Sequence, residues 1–137
     1  MSNPNASLYD RLGGVYAIAA VVDVFIDRIM VCPILNANPL VDEAHHRVPK
    51  AGFKYLVTEM VCMATGGPQR YTGKAMKESH HHLKITPSEW DAFAGHFKAV
   101  LDQFKVPAAE QQELFDIVGT TRGDIVIEPA KDARKAG

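Results

Sequence analysis

The sequence predicts an all-α fold, and three observations support this prediction. Apolar residues recur at steps of three and four along most of the chain, a pattern typical of amphipathic helices. No segment keeps a period of two, and the only strand-like run, DIVIE, is short. A chain of 137 residues that is 47% hydrophobic can bury one core but is too short for two. We therefore expect residues 1–137 to form a single domain, ordered over about 7–125, with a frayed tail at about 127–137.

The composition argues against several classes of function. Fifteen Lys and Arg against sixteen Asp and Glu give a formal charge of −1, so no net field draws the chain to nucleic acid or to an anionic membrane. The start, MSNPNAS, lacks the features of a secretory signal, and no apolar stretch reaches membrane-spanning length. We expect a cytoplasmic protein. Cys32 and Cys62 match no zinc spacing and are expected to be buried, reduced thiols.

The first half of the chain predicts three helices. Ser7 precedes LYDRL, a short helix that Gly13-Gly14 ends. A longer helix begins near Val15 and ends near Cys32-Pro33. The segment PILNANPLVDEAHH has two prolines and two asparagines, so we expect an irregular connection up to about Glu43. The third helix carries the most regular apolar stripe in the chain, formed by Phe53, Leu56, Val57, Met60, Val61 and Ala64.

The second half begins with Gly66-Gly67-Pro68, which stops the third helix. A loop containing YTG leads to a short helix with three consecutive histidines. Thr86 and Glu89 form a capping box with Pro87 at the first helical position, which predicts a helix start. The residues expected to line the buried face of that helix are Trp90, Phe93, Phe97, Val100, Leu101 and Phe104. Val106-Pro107 breaks it before a last helix, and Gly123 is expected to end the ordered part.

The histidines at 80–82 differ in their predicted direction. Each helical residue turns about 100° around the axis. On this basis His80 borders the apolar side with Met76 and Leu83, whereas His81 and His82 point sideways and outward. A neutral imidazole in an apolar space is a good iron or zinc ligand when its other nitrogen is held by a backbone carbonyl or by a hydroxyl such as that of Ser79. The alternative is a hydrogen-bonded core histidine, which is the more common role of a single inward His.

The histidine and cysteine inventory suits haem better than zinc. Zinc needs three or four protein ligands, whereas Cys32, Cys62, His45, His46 and His96 lie on scattered elements. We expect His45 and His46 to lie at the start of a helix and to face solvent. Haem needs only one axial ligand from the protein, together with a large apolar pocket.

Several motifs together resemble a known family. They are SLYDRLGG, VFIDRI, GGP, YTG followed by KAMKESH, ITPSEWDAF and VPAAEQQELFDIVGTTRGDI. In this order, from Ser7 to Ile125, the chain resembles a group I truncated haemoglobin, a two-over-two helical sandwich. The resemblance implies haem b and a diatomic gas ligand, and its proximal ligand is the His that closes YTG-x-x-M-x-x-x-H. That residue is His80, which helical phase also selects.

The resemblance also assigns the walls of the haem site. The stripe residues Phe53, Leu56, Val57, Met60 and Val61 match the distal face. Three further residues match the proximal side or the haem edge: Met76, Leu83 and Trp90. The polar candidates for the haem propionates are Lys50, Lys54, Arg70, Tyr71 and Lys84. For each apolar position, ordinary core packing is the alternative.

The sequence departs from the family where oxygen is held. Many relatives have a tyrosine directly after a phenylalanine on the second helix, and here the pair is Phe25-Ile26. Relatives also place Gln or another polar group on the distal helix, where this chain has apolar residues. Each lost hydrogen bond to bound oxygen should weaken binding by about 1 kcal/mol or more. Two alternatives would restore a polar group: Tyr55 could turn inward, or His45 or His46 could become a sixth ligand.

These features favour oxygen binding, oxygen transport or gas sensing. The alternatives are a nitric oxide dioxygenase, which needs a stabilised oxygen complex and a reductase partner, and a peroxidase-like enzyme, which needs a distal acid–base group. A different class is a cofactor-free helical interaction module, in which the stripe from Phe53 to Ala64 is merely core.

Overall fold

The structure is a computed structural model that describes residues 6–127. Helices account for most of this part: α1 Leu8–Leu12, α2 Gly14–Met30, α3 Pro33–Asn36, α4 Pro39–Arg47, α5 Lys50–Ala64, α6 Met76–His80, α7 Pro87–Gln103, α8 Ala108–Gly119 and α9 Arg122–Ile125. A 3-10 turn, His81–Leu83, follows α6. Within 6–127 the β pairing is one isolated parallel bridge between Ile85 and Val126. No helix of this part is long and apolar enough to cross a membrane.

Helix α1 begins and ends as the sequence predicts. The Ser7 hydroxyl accepts a hydrogen bond from the backbone N–H of Asp10 at 3.1 Å, which caps the helix start. Gly13 ends the helix with φ +106°, and a Cβ at this position would lie 2.9 Å from the Ala17 side chain. Only glycine fits there without strain, because an L side chain disfavours this φ.

The connection after α2 is helical, so the prediction of an irregular segment up to Glu43 is wrong. Helices α3 and α4 each have proline in the first turn. The Asn38 side chain accepts from the N–H groups of Leu40 and Val41 and caps α4. Asn followed by Pro is a helix-start pattern of the same kind as Thr86-Pro87. The two prolines therefore begin helices, whereas the prediction treats them as helix breakers.

Helix α2 lies at the centre of the fold, packed against both α5 and α7. Its Phe25 ring contacts Phe93 and Phe97 with ring centroids 5.2 Å apart in each pair, and Phe97 contacts Phe115 of α8 at the same distance. Ile26 is 1% exposed. The adjacent residues Phe25 and Ile26 of α2 are therefore both buried in the core.

Helix α7 starts with the predicted capping box. The Glu89 N–H donates to the Thr86 hydroxyl at 3.3 Å, and the Thr86 N–H donates to the Glu89 carboxylate at 3.0 Å. Most of the predicted apolar face is at least half buried, but Phe104 is 37% exposed. Phe104 is the residue after the last helical position, where the chain turns away, so its predicted burial is wrong.

The described chain continues past Gly123, since this residue lies inside the short helix α9. Helix α9 packs against α6. The N–H of Ile127 then donates to the carbonyl of Ile85 at 2.8 Å, beside the bridge between Ile85 and Val126. Of the tail predicted to fray, residues 128–137 lie outside the described residues.

Candidate functional site

His80 is the last residue of α6, and its ring is oriented by two neighbours. Nδ1 lies 3.0 Å from the backbone carbonyl of Met76 and 2.8 Å from the hydroxyl of Ser79. Because a carbonyl oxygen can only accept, Nδ1 carries the ring proton. The lone pair is then on Nε2, for which the described residues offer no hydrogen-bond partner. A histidine in this tautomer can ligate a metal through Nε2.

Burial favours the neutral form of the His80 ring. It lowers the pKa of His80 below the ordinary value, and the carbonyl of Met76 opposes this only in part. The side chain is half buried, whereas His81 and His82 are exposed. The contrast between His80 and its two exposed neighbours agrees with helical phase. Among residues 6–127, no three His, Cys, Asp or Glu side chains come together in a group that could hold a metal ion.

The apolar stripe of α5 is only half buried. The deepest residues of the helix are Cys62 and Glu59, at 0% and 9% exposure, and Ala64 is exposed. Phe53, Val57 and Val61 pack against the main hydrophobic cluster, but Leu56 and Met60 lie outside it. Helix α5 therefore carries apolar side chains, Leu56 and Met60, that do not pack against the main hydrophobic cluster of the protein.

The remaining predicted site residues divide into two groups. Phe25 and Ile26 of α2 and Leu83 of the 3-10 turn belong to the same cluster as the inner side of α5. Met76 of α6 and Trp90 of α7 are half buried and lie outside that cluster, although the Trp90 ring contacts Phe93 at 5.2 Å. Leu56, Met60, Met76 and Trp90 are thus partly buried apolar side chains that the main cluster leaves without full cover.

Two of the propionate candidates are engaged elsewhere. The Lys54 ammonium lies 2.6 Å from Asp23 and 2.9 Å from Asp27, and Lys50 lies 3.2 Å from Asp27. These pairs tie α5 to α2 and raise the pKa of Lys54, chiefly through Asp23. Both lysines are thus paired with carboxylates of α2, and their role at a propionate stays a prediction.

The other three propionate candidates lie in or near the loop before α6 and the turn after it. Arg70 and Lys84 are exposed. Tyr71 is half buried, and its hydroxyl donates to the carbonyl of Lys74 at 2.6 Å. The exposed Arg70 and Lys84 are therefore the candidates that stay open for a charged edge of a cofactor, whereas the hydroxyl proton of Tyr71 is already donated to Lys74.

The structure opposes two of the three polar groups that could have restored a distal donor. Tyr55 is 61% exposed and hydrogen-bonds Glu59, which raises its pKa. The side chain of His46 is 79% exposed and bonds the carbonyl of Asp42. His45 is half buried near the end of α4, where its Nδ1 lies 2.6 Å from the Asn36 side chain. The predicted solvent-facing position at a helix start is wrong for His45, because it is half buried and lies in the last turn of α4.

Sequence reasoning missed the buried carboxylate of Glu59. It accepts hydrogen bonds from the hydroxyl of Thr72 at 2.6 Å and from the Thr72 N–H at 3.1 Å. The Thr72 hydroxyl is the main cause of a lowered pKa for this carboxyl group. The pair fastens the loop before α6 to α5. A glutamate inside an apolar stripe was the available signal, since such a residue needs a partner when buried.

A partly open apolar cavity of about 150 Å³ lies mainly between α2, α7 and α8, and Val61 is the α5 residue in its wall. Val61 of α5, Val21 and Ile18 of α2 and Leu101 of α7 are among its walls. Val61 is also one of the predicted haem-site residues, so the cavity adjoins the helix that carries the stripe.

Comparison with known proteins gives a consistent picture. The family described as bacterial-like globin matches residues 7–127. A group 1 truncated haemoglobin of Mycolicibacterium paratuberculosis is 29% identical over 120 residues, which cover 88% of this chain and 84% of that protein. The group 1 truncated haemoglobin of Tetrahymena pyriformis is 25% identical over 124 residues, which cover 90% and 98%.

Solved structures agree with this family. The crystal structure of the Tetrahymena pyriformis protein in its Fe(III) form has a TM-score of 0.75 at 25% identity and covers 90% of this chain and 100% of its own. The 2/2 haemoglobin of Synechococcus, solved in the cyanomet state with covalently attached haem, has a TM-score of 0.74 at 27% identity and covers 88% and 98%. The predicted two-over-two helical fold is confirmed. The chain therefore belongs to the bacterial-like globin family, and its relatives there are group 1 truncated haemoglobins.

Proposed function

We propose that the chain holds haem b through Nε2 of His80 and binds oxygen, CO or NO in a pocket without a hydrogen-bond donor. As a globin it binds haem iron and a gas ligand, and the proposal adds the residues that do so. The observation that carries it is the contact of His80 Nδ1 with the Met76 carbonyl at 3.0 Å and the Ser79 hydroxyl at 2.8 Å. The ring is thereby fixed with a neutral nitrogen left for a metal.

Partly buried apolar side chains that the main cluster does not cover support the proposed haem contacts. Leu56 and Met60 of α5, Met76 of α6 and Trp90 of α7 are half buried without packing into the main cluster. Ligand pockets are lined predominantly by apolar and aromatic side chains, so residues of this kind are suited to cover the ring of a cofactor. Bound there, haem supplies an iron centre for a diatomic ligand.

The proposed distal residues offer no donor. Ile26, Phe53, Leu56 and Val57 are hydrocarbon side chains, and Tyr55 is turned towards Glu59. Bound oxygen carries partial negative charge, so it lacks a hydrogen bond that would contribute roughly 1.5–3 kcal/mol. CO depends less on a donor and loses less. The apolar cavity beside Val61 also suits a small nonpolar gas.

This pocket favours oxygen binding or gas sensing over the two enzymatic alternatives. Nitric oxide dioxygenation needs a stabilised oxygen complex, and peroxidase-like chemistry needs a distal acid–base group. Tyr55 and His46, two side chains that could have provided such groups, face away or lie exposed. Oxygen transport, a cytoplasmic location and a reductase partner stay predictions from the sequence.

Haemin titration and oxygen-release kinetics test the proposal. We expect the purified chain to take up one haemin, to form a CO complex when reduced, and to release oxygen quickly and autoxidise readily. Slow oxygen release would reveal a donor that the distal residues do not supply. A colourless chain that takes up no haemin would refute the haem site and favour a cofactor-free helical interaction module.

A further inference from the structure

Helix α6 cannot fix the position of His80 alone. It has only five residues and no side-chain hydrogen bond at its N-terminus. Helices this short have little stability of their own, because nucleation costs more than a single turn returns. The direction of the His80 ring must therefore come from the elements packed around α6 and the turn after it.

One of these elements is the C-terminal segment. Helix α9 packs against α6, and Val126 after it is 7% exposed. The Ile127 N–H donates to the carbonyl of Ile85 at 2.8 Å. This bond reaches the chain five residues after His80, so the segment 122–127 supports both α6 and the turn.

The second element is Asn38, which reaches the turn from the other end of the sequence. Its side-chain oxygen caps α4, and its side-chain nitrogen donates to the carbonyl of Leu83 at 3.0 Å and to the Glu89 carboxylate at 3.1 Å. Glu89 belongs to the capping box of α7. One amide thus joins the start of α4, the turn after His80 and the start of α7.

Lys84 has a strained backbone conformation, and it lies between Leu83 and Ile85, whose carbonyl groups accept hydrogen bonds from Asn38 and Ile127. Lys84 has φ +53° and ψ +50°, the left-handed conformation that a residue with a Cβ disfavours. Such a conformation persists when surrounding contacts determine the path of the chain. The carbonyls of Leu83 and Ile85 on either side are the ones that Asn38 and Ile127 bind.

We propose that Asn38 and the segment 122–127 act as a clamp that positions His80 for the haem iron. Neither is proposed to touch the reacting atoms: Asn38 acts through the turn 81–86, and the segment 122–127 acts through that turn and through its packing against α6. The inference rests on the proposed role of His80. It predicts that loosening either side lets the ring adopt a wider range of orientations.

The test compares Asn38→Ser with Asn36→Ser in the haem-loaded protein. Serine can still cap α4 but cannot reach Leu83 or Glu89 as a donor, so Asn38→Ser removes the clamp without adding charge. Asn36 is a matched control, because its side chain bonds Met30 and His45 and touches neither carbonyl of the turn. A second pair compares a chain ended after Thr121, which lacks the segment, with a chain ended after Ile127, which keeps it.

The readouts are the iron–histidine stretching band of the ferrous protein by resonance Raman and the rate of haem loss. We expect a shifted or broadened band and about tenfold faster haem loss in Asn38→Ser and in the Thr121 truncation, since each leaves a turn carbonyl without its partner. The two controls should match the intact chain.

If Asn38→Ser leaves the band and the rate of haem loss unchanged and lowers only the melting temperature, the clamp is refuted. Asn38 then contributes only stability to the fold. If one of the two test variants takes up no haem, the other carries the test. Failure of the intact chain to bind haem is recorded first and would refute the proposed function itself.

Discussion

Replacing Ile26 by tyrosine should convert the proposed distal pocket into one that retains oxygen. In the family resemblance, Ile26 occupies the position where many relatives carry the tyrosine that holds bound oxygen. A hydroxyl that donates to a partly charged oxygen should contribute about 1.5–3 kcal/mol. That free energy corresponds to oxygen release slowed by roughly 10- to 150-fold.

The added bulk must be separated from the added donor. Ile26 is 1% exposed, so a larger ring at this site will cost about 1–3 kcal/mol of stability through overpacking. Ile26→Phe carries almost the same bulk without the hydroxyl. The ratio of the oxygen release rates of the Tyr and Phe variants therefore isolates the hydrogen bond.

Stopped-flow measurement of oxygen release in the three proteins decides the outcome. We expect fast release in the natural chain and in Ile26→Phe, and slow release only in Ile26→Tyr. Release from the natural chain as slow as from Ile26→Tyr would refute the reasoning, because it would require a donor already present in the pocket.

Three further outcomes are expected from the charged and buried groups. Burial lowers the pKa of His45, His80 and His96 below 6.5, so the unfolded chain binds more protons below that pH and the melting temperature of the apoprotein should fall as the pH decreases from 7.5 to 5; a flat profile would argue against buried neutral rings. Lys54→Met should lower the melting temperature by removing the pairs that join α5 to α2, and 1 M NaCl should shrink the difference from the natural chain. The two cysteines are 0% and 4% exposed, so a thiol reagent should react slowly with the native protein and with two thiols after denaturation; a fast thiol in the native state would contradict their burial.

The sequence predicts helix boundaries correctly where residues within one turn of the boundary determine them. Thr86, Pro87 and Glu89 specify the start of α7 through contacts within one turn, and the structure has them. The same logic applied to Asn38-Pro39 would have found α4. Proline ends a helix or begins one depending on the residues after it, and the polar sequence after Pro39 has no clear apolar period.

The parts that could not be predicted depend on contacts between distant segments. Nothing in the sequence around Ile85 indicates that Ile127 pairs with it. Likewise, an asparagine can cap a helix anywhere, and its second role at Leu83 exists only once α4 lies beside the turn. His80 itself could be chosen from the sequence, because helical phase separates adjacent residues by about 100°.

The most direct test of the haem site is an alanine series across the three histidines. Haemin uptake and the ferrous CO spectrum are measured for His80→Ala, His81→Ala and His82→Ala. His80 alone has its Nδ1 held by a backbone carbonyl in a half-buried site, whereas its two neighbours are exposed. We predict that His80→Ala loses haem or binds it far more weakly while the other two variants retain it. Equal losses in all three, or normal haem binding by His80→Ala, would contradict the assignment of His80 as the axial ligand.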